Sequence, residues 1–343
     1  MKRIFSRIAA GLEQGDSLML VSVVANQGSA PRGAGARMLI GPSGRLTGTI
    51  GGGAVELRSE ALARELLAEG RSALHDFRLH HNTTEDIGMV CGGDVTVLFR
   101  YIPGDSQEWL TLAEAVLNRL DAHTGGWLLE PLTEDNALPC LYTPEQCWGG
   151  PAPDQQVLEQ MWGNAPRLVD GWFGEPLPTG ERVVIFGGGH IAQELVPVLR
   201  HLGFRPVIFE DRQEYARPEL FPGAERTILG DFGRVEDSLT LTDEDYVVIM
   251  TSGHKNDYEV EGQILALPHA YLGVIGSPAK TAAVNQRLRA DGFTQEQLDQ
   301  VYTPIGMKIK SETPAEIAIS IAGELILVRA ERRGGPGGGC PMH

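Results

Sequence analysis

The stretch Arg182–Ala192, RVVIFGGGHIA, decides the fold of the C-terminal half of the chain. A short β-branched run leads into a glycine turn, and an apolar helical pattern from Ile191 to Leu202 follows the turn. Gly203 ends this helix, and a second strand from Arg205 to Phe209 ends in two carboxylates. Strand, glycine turn, helix and strand in this order form half of a nucleotide-binding βαβ unit. The stretch therefore predicts a Rossmann-like parallel sheet with helices on both faces.

Gly187, Gly189 and Ala192 occupy the three small positions of the G-x-G-x-x-G/A fingerprint. These positions allow a tight turn, close approach of the backbone to a phosphate, and close packing of the helix on its strand. Gly188 lies between them, and the amides that open the helix face an anion. Glu210, with Asp211 beside it, follows at about the 20-residue spacing of an acid that binds a ribose hydroxyl.

A second group of candidate ligand contacts follows the apolar runs Tyr246–Met250 and Ala270–Ile275. Because ligands of open α/β sheets bind outside the carboxyl ends of the strands, residues after these runs should line one crevice with the glycine turn. These residues are His254, Asp257 and Ser277, and they should line the crevice together with His190 of the glycine turn. Taken alone, His190 is explained equally well as a ligand contact and as a polar residue that only starts the helix.

The patterns divide the chain into four segments. Residues 1–102 are predicted to form an N-terminal α+β domain, and residues 103–180 a covering segment and linker. That segment contains one helix and one strand, and otherwise reads as irregular because of its prolines and glycines. Residues 181–330 form the Rossmann-like domain, and the glycine-rich residues 331–343 a flexible tail. The fold class is therefore α/β with an added α+β domain.

The N-terminal domain contains a second strand-glycine-helix site. A strand from Arg45 to Ile50 leads into Gly51, Gly52 and Gly53, and a helix follows to about Glu69. Glu56 lies in the first turn of this helix, where the helix dipole alone favours a carboxylate. Alternatively, Glu56 has a functional role and accepts hydrogen bonds from the edge of an amino-pyrimidine or pterin ring.

Two further residues stand out in glycine-rich loops. Cys91 is followed by Gly92 and Gly93 at the start of a strand, so little side-chain bulk would bury its thiol. An accessible thiolate could act on metal or sulfur, although most lone cysteines are small buried hydrophobes. Arg32 is the cation of the loop after the first strand.

Composition excludes several classes of protein. The 343 residues contain 29 Lys and Arg against 45 Asp and Glu, a net charge of -16, so a nucleic-acid or anionic-membrane surface is not expected. No apolar run reaches the length of a membrane span, and no signal-peptide core is present, which favours a cytoplasmic protein. The four cysteines have no zinc-binding or disulfide spacing, so no metal site is predicted.

Taken together, seven motifs in one order resemble the xanthine dehydrogenase accessory factor family, the XdhC/CoxI-type proteins. They cover nearly the whole chain: Gly28–Arg32, Thr49–Glu56, Cys91–Gly93, Phe186–His190, Thr251–His254, Leu272–Ser277, and Pro304–Gly306 with Thr313–Ala318. Two departures from the family are Ala54, where some relatives have cysteine, and the pair Lys308 and Lys310, where small and acidic residues are expected.

The resemblance implies a maturation chaperone for a molybdenum hydroxylase of the xanthine dehydrogenase or aldehyde oxidoreductase type. Such a protein binds the molybdenum cofactor, as molybdopterin or its cytosine dinucleotide form, while a cysteine desulfurase supplies a sulfido ligand. It then delivers the cofactor to the apo molybdenum hydroxylase. Partners would also include cofactor-synthesis enzymes and a second copy of the chain in a homodimer.

The resemblance also implies roles for the candidate residues. Glu56 would hold the pterin edge, Cys91 would lie near the metal or sulfur, and the turn Gly187–Ala192 would take the phosphate. Two alternatives remain: an NAD(P)-dependent oxidoreductase, for which no hydride-transfer residues are evident, and a nucleotide-sensing or docking protein without chemistry.

Overall fold

The computed structural model describes residues 1–28, 33–79, 93–163 and 165–332. The chain forms two compact units that meet in sequence between Thr179 and Gly180. In the described parts of the chain, no helix is long and apolar enough to cross a membrane.

The first unit begins with a five-stranded antiparallel sheet of order β3-β2-β1-β5-β4. Its elements are α1 (Lys2–Glu13), β1 (Leu18–Gly28), β2 (Arg37–Gly41), β3 (Gly44–Gly48), α2 (Gly53–Glu69), β4 (Ala73–Leu79) and β5 (Gly93–Ile102). Alternation along β1 sends Met19 and Val21 to the face that α2 covers. Leu18 and Leu20 point to the opposite face, where α1 packs.

Residues 103–180 differ from the sequence prediction, because they form a second antiparallel sheet of order β8-β7-β6-β10-β9. The elements are α3 (Gln107–Asp121), β6 (Trp127–Pro131), β7 (Cys140–Tyr142), β8 (Cys147–Gly149), α4 (Gln155–Met161), β9 (Arg167–Val169) and β10 (Trp172–Pro176). Three of these strands have three residues each, too few to show an alternating pattern.

The first unit has a core that joins its two sheets. Leu112 and Val116 of α3 share one apolar cluster with Leu20 of β1 and Leu128 of β6. Residues 103–179 therefore belong to the same compact unit as the N-terminal sheet, without a boundary at residue 102.

The second unit confirms the predicted Rossmann-like domain. Its elements are β11 (Arg182–Phe186), α5 (His190–His201), β12 (Arg205–Glu210), β13 (Arg226–Leu229), β14 (Tyr246–Ile249), α6 (His254–Ile264), β15 (Tyr271–Val274), α7 (Pro278–Ala290), α8 (Gln295–Leu298) and α9 (Pro314–Arg332). All strand pairs are parallel, in the order β13-β12-β11-β14-β15. Helices α5 and α9 pack on one face of this sheet and α6 packs on the other. The strand order reverses direction between β11 and β14, which is where open α/β sheets bind ligands.

Candidate functional site

The glycine turn between β11 and α5 lies at this switch point. Gly187 has a φ of 108°, and a Cβ there would collide with the carbonyl of Met250. A Cβ on Gly188 would collide with the carbonyl of Tyr215. Gly189 is different, because nothing lies within 4 Å of the place where its Cβ would be. Gly187 and Gly188 therefore lack side chains because the neighbouring backbone packs against them. Gly189 leaves space for a ligand at the first amides of α5.

Glu210, at the end of β12, is fully buried and binds the glycine turn. Its Oε2 accepts from the Gly188 amide at 2.7 Å and from Arg212 Nη2 at 3.1 Å. Its Oε1 accepts from the amides of Asp211 and Arg212 and from Arg212 Nε. Burial alone would raise the pKa of Glu210, but the bonds from Arg212 and the Gly188 amide outweigh it and hold the pKa at about 2.

This arrangement counts against a dinucleotide in the usual Rossmann position. Both oxygens of Glu210 already accept from protein donors, so a ribose hydroxyl would have to displace one of them. Arg212 also lies 4.1 Å from the ring centroid of Tyr215. The side chain of Asp211 is 32% exposed, and its partial burial and the neighbouring Glu210 raise its pKa to about 6. Arg212 has no signal in the sequence, since the fingerprint specifies only the acid.

An ion pair lies at the carboxyl ends of β14 and β15. Asp257 is fully buried, and its Oδ1 accepts from the amide and hydroxyl of Thr251 at 3.0 and 2.6 Å. Its Oδ2 accepts from the Lys280 ammonium, which also donates to the carbonyl of Ile275 at 3.2 Å. Lys280 was missed from the sequence, although its position after Gly276-Ser277-Pro278 marks the first turn of a helix.

The remaining predicted residues of this unit lie at the same edge of the sheet. His190 is exposed at the first position of α5. Ser277 is exposed and caps α7, its hydroxyl accepting from the Lys280 amide at 3.3 Å. His254 starts α6, and its side chain lies outside the described structure. The helices that carry these residues follow β11, β14 and β15, so the predicted clustering at one edge is a property of the topology.

The glycine turn of the first unit is closed by the chain itself. Glu56 accepts from the amides of Ile50 and Gly52 at 2.9 and 3.1 Å, and from the side chains of Thr49 and Arg45. Burial would raise the pKa of Glu56, but the bonds from Thr49, Gly52 and Arg45 hold it at about 2. Glu56 is therefore a helix-capping carboxylate whose oxygens are occupied. Gly52 has open space beside it.

Two predicted residues, Cys91 and Arg32, lie outside the described residues, so their surroundings are not part of the site geometry. Within the described ranges, no three histidine, cysteine or acidic side chains are placed to hold a metal ion.

Two separate parts of the chain match models of one family. Residues 183–325 match the XdhC Rossmann domain. Residues 11–78 match the XdhC and CoxI family. The two matches together cover more than half of the 343 residues.

Curated relatives match the chain over almost its full length. It is 25% identical to the uncharacterized protein YqeB of Escherichia coli, over 97% of this chain and 47% of that protein, so it spans about half of that relative. It is 25% identical to a probable xanthine dehydrogenase subunit of Bacillus subtilis, over 96% of this chain and 98% of that one. It is 24% identical to the molybdenum cofactor insertion chaperone PaoD of Escherichia coli, over 93% of this chain and 85% of that one.

A solved structure has the same fold. The crystal structure of a xanthine dehydrogenase from Bacillus halodurans superposes with a TM-score of 0.76 at 22% identity, over 95% of this chain and 96% of that one. The fold of this chain is thus one that has been observed by crystallography.

Proposed function

The chain belongs to the XdhC and CoxI family, and we propose that it is a chaperone that binds the molybdenum cofactor for a molybdenum hydroxylase. The observation that carries this proposal is the match to the insertion chaperone PaoD, which extends over 93% of this chain. The cargo would be molybdopterin or its cytosine dinucleotide form. Both carry phosphate, which suits the start of a helix.

In this proposal the cofactor's phosphate binds at the start of α5. The open space at Gly189 supports this position, because a phosphate must approach the backbone closely to reach the first amides of the helix. His190 is exposed beside these amides and would contact the ligand. The bound carboxylate of Glu210 holds Gly188 in place and so fixes the shape of the turn.

The chemistry on the cargo is part of the same proposal. A cysteine desulfurase would deliver sulfur to the bound cofactor, with Cys91 close to the metal or sulfur, and the sulfurated cofactor would pass to an apo hydroxylase in the cytoplasm. Arg32 would add a positive charge near the anionic ligand. If Cys91 takes part, Cys91→Ala should lower the yield of active hydroxylase while the thermal unfolding of this protein stays unchanged; an unchanged yield would exclude Cys91.

The first test is calorimetry of the purified protein, under anaerobic conditions, with the molybdenum cofactor and separately with NAD. We expect tight binding of the cofactor and none of NAD. Gly189→Ala should weaken cofactor binding by about ten-fold or more, because the new methyl group fills the space that the phosphate needs.

Gly125→Ala is the matched control, since its Cβ would meet only Thr179 at an ordinary 3.9 Å and should leave binding unchanged. Binding of NAD without affinity for the cofactor would refute the chaperone proposal and favour an oxidoreductase.

We also propose that the chain forms a homodimer through the outer face of α9. Ile319 and Ile326 are 55% and 39% exposed on this helix, seven residues apart, and Leu327 beside them is 50% exposed. Apolar side chains this exposed favour association with another apolar face, which a second copy of the chain supplies.

Light scattering with size-exclusion chromatography should give a dimer mass for the wild type and a monomer mass for Ile326→Glu. Leu168→Glu, at an equally exposed leucine of the first unit, is the control that should leave the dimer intact. A dimer that survives Ile326→Glu would place the interface elsewhere.

A further inference from the structure

A small pocket lies in the second unit between α6, α7 and the carboxyl end of β15. Its polar lining consists of Glu261, Lys280, Thr281, Asn285 and Thr303. The cavity measures about 10 Å³, about the space of a single water-sized group. It can take one non-hydrogen atom with its hydrogens, while a larger molecule would have to remain outside.

Glu261 is the unusual member of this lining. It lies one helical turn after Asp257 on α6 and is only 2% exposed. Nevertheless, within the described parts of the chain its carboxylate accepts no hydrogen bond and forms no ion pair. Burial and the neighbouring Asp257 raise its pKa to about 7, against the opposing effect of Lys280. A buried carboxylate without a partner is costly, so a donor from outside would be stabilising.

Lys280 supplies the complementary group. Its ammonium has three N–H donors, of which Asp257 and the carbonyl of Ile275 take two. One donor is left for a ligand, and Lys280 lines the pocket. The pocket therefore presents a free acceptor from Glu261 next to a free donor from Lys280, at the edge of the sheet where ligands of this fold bind.

We propose that this pocket binds the exocyclic amino group of a heterocycle, with Glu261 accepting from the amino group and Lys280 donating to the adjacent ring acceptor. An amino group has one non-hydrogen atom and fits the cavity, while the ring stays in the crevice outside. The inference rests on the proposed function, because the cargo offers this amino–acceptor edge twice, on its pterin and on the cytosine of its dinucleotide form.

The two carboxylates at the glycine turns, Glu56 and Glu210, are not available to accept from the amino group of a ligand. Every oxygen of Glu56 and Glu210 accepts from protein donors. Glu56 was the sequence-based choice for the pterin edge. Because the oxygens of Glu56 already accept from protein donors and those of Glu261 do not, we assign the amino-heterocycle to Glu261 instead.

The test is calorimetry of the full-length protein with three probes: the molybdenum cofactor, cytidine monophosphate and 6-hydroxymethylpterin. Glu261→Gln keeps the shape of the side chain but replaces one acceptor oxygen with an NH2 group that repels the ligand's amino group. We expect it to weaken binding of the cofactor by about ten-fold or more. Glu259→Gln, on the outer part of the same helix, is the matched control and should bind like the wild type.

The two free heterocycles distinguish the sources of the amino group. Loss of cytidine monophosphate binding in Glu261→Gln assigns the pocket to cytosine, and loss of pterin binding assigns it to the pterin. If the wild type binds the cofactor and Glu261→Gln binds it and both heterocycles equally well, the inference is overturned while the chaperone proposal stands. If the wild type binds no cofactor but Glu261 still controls binding of a heterocycle, the chaperone proposal fails and the pocket remains. If none of the probes binds the wild type, both fail.

Discussion

At the scale of single residues, three glutamates show how environment decides the use of one side chain. Glu56 and Glu210 both bind the amide of a glycine turn and an arginine, and the pKa of each is held at about 2. Glu261 is equally buried but lacks donors, and its pKa rises to about 7. The first two therefore stabilise the fold at neutral pH, whereas the third costs stability until a ligand or a proton reaches it.

Glu261→Gln should accordingly stabilise the second unit, but only at higher pH. The folded pKa of Glu261 is about 7 and its ordinary value is 4.5, so between these values the folded protein holds a proton that the unfolded chain has released. Stability therefore falls as the pH rises through this window, and the penalty is complete above it. Glutamine removes the penalty. Urea unfolding followed by circular dichroism should show a gain of about 1–3 kcal/mol at pH 8 and little change at pH 5.

Glu259→Gln serves as the control for this comparison and should have no effect at either pH. A variant Glu261→Gln that is less stable than the wild type at pH 8 would mean that the carboxylate has a favourable partner in solution, and the pocket would lose its free acceptor.

At the scale of elements, a buried ion network joins the two sheets of the first unit. Arg37 of β2 donates to Glu130 of β6 at 2.6 Å and to Glu175 of β10, and all three side chains are buried. Burial raises the pKa of Glu175, with Arg37 opposing this shift. Because one arginine serves two carboxylates, its loss would leave both acids buried without their cation.

We expect Arg37→Met to destabilise the first unit by about 3–5 kcal/mol. All five tryptophans lie within residues 109–172, so urea unfolding followed by tryptophan fluorescence reports on this unit. Arg71→Met removes an exposed ion pair with Glu69 and should cost less than about 1 kcal/mol. Equal effects of the two substitutions would show that the buried network contributes no more than a surface pair.

The elements that the sequence predicted correctly are those with a local signal. The strand, glycine turn and helix of residues 182–202 are specified by β-branched residues, glycines with a steric role and an apolar helical period. The second sheet of the first unit has no such signal, since β7, β8 and β9 are held mainly by pairing with distant strands. The partners Arg212 and Lys280 were missed for a similar reason, because a side chain's bonding depends on tertiary neighbours that spacing alone does not specify.

At the scale of the whole molecule, the glycine turns of the two units differ in how open they are to a ligand. In the first unit Glu56 takes the amides of Ile50 and Gly52. In the second unit Glu210 takes the amides of Gly188, Asp211 and Arg212, while the space at Gly189 and the pocket at Glu261 stay open. The open space at Gly189 and the pocket at Glu261 therefore both lie within the Rossmann domain.

This difference between the two units predicts which of them a bound ligand stabilises more. A ligand at one hundred times its dissociation constant stabilises the unit that binds it by about 2.7 kcal/mol. With saturating molybdenum cofactor, circular dichroism should show that the unfolding transition of the second unit moves to higher temperature. The tryptophan fluorescence transition, which belongs to the first unit, should move less, because only Arg32 and Cys91 of that unit are proposed to lie near the ligand. If the fluorescence transition moves by the same amount, the cofactor draws as much binding energy from the first unit as from the second, and the binding groups are not concentrated in the second unit.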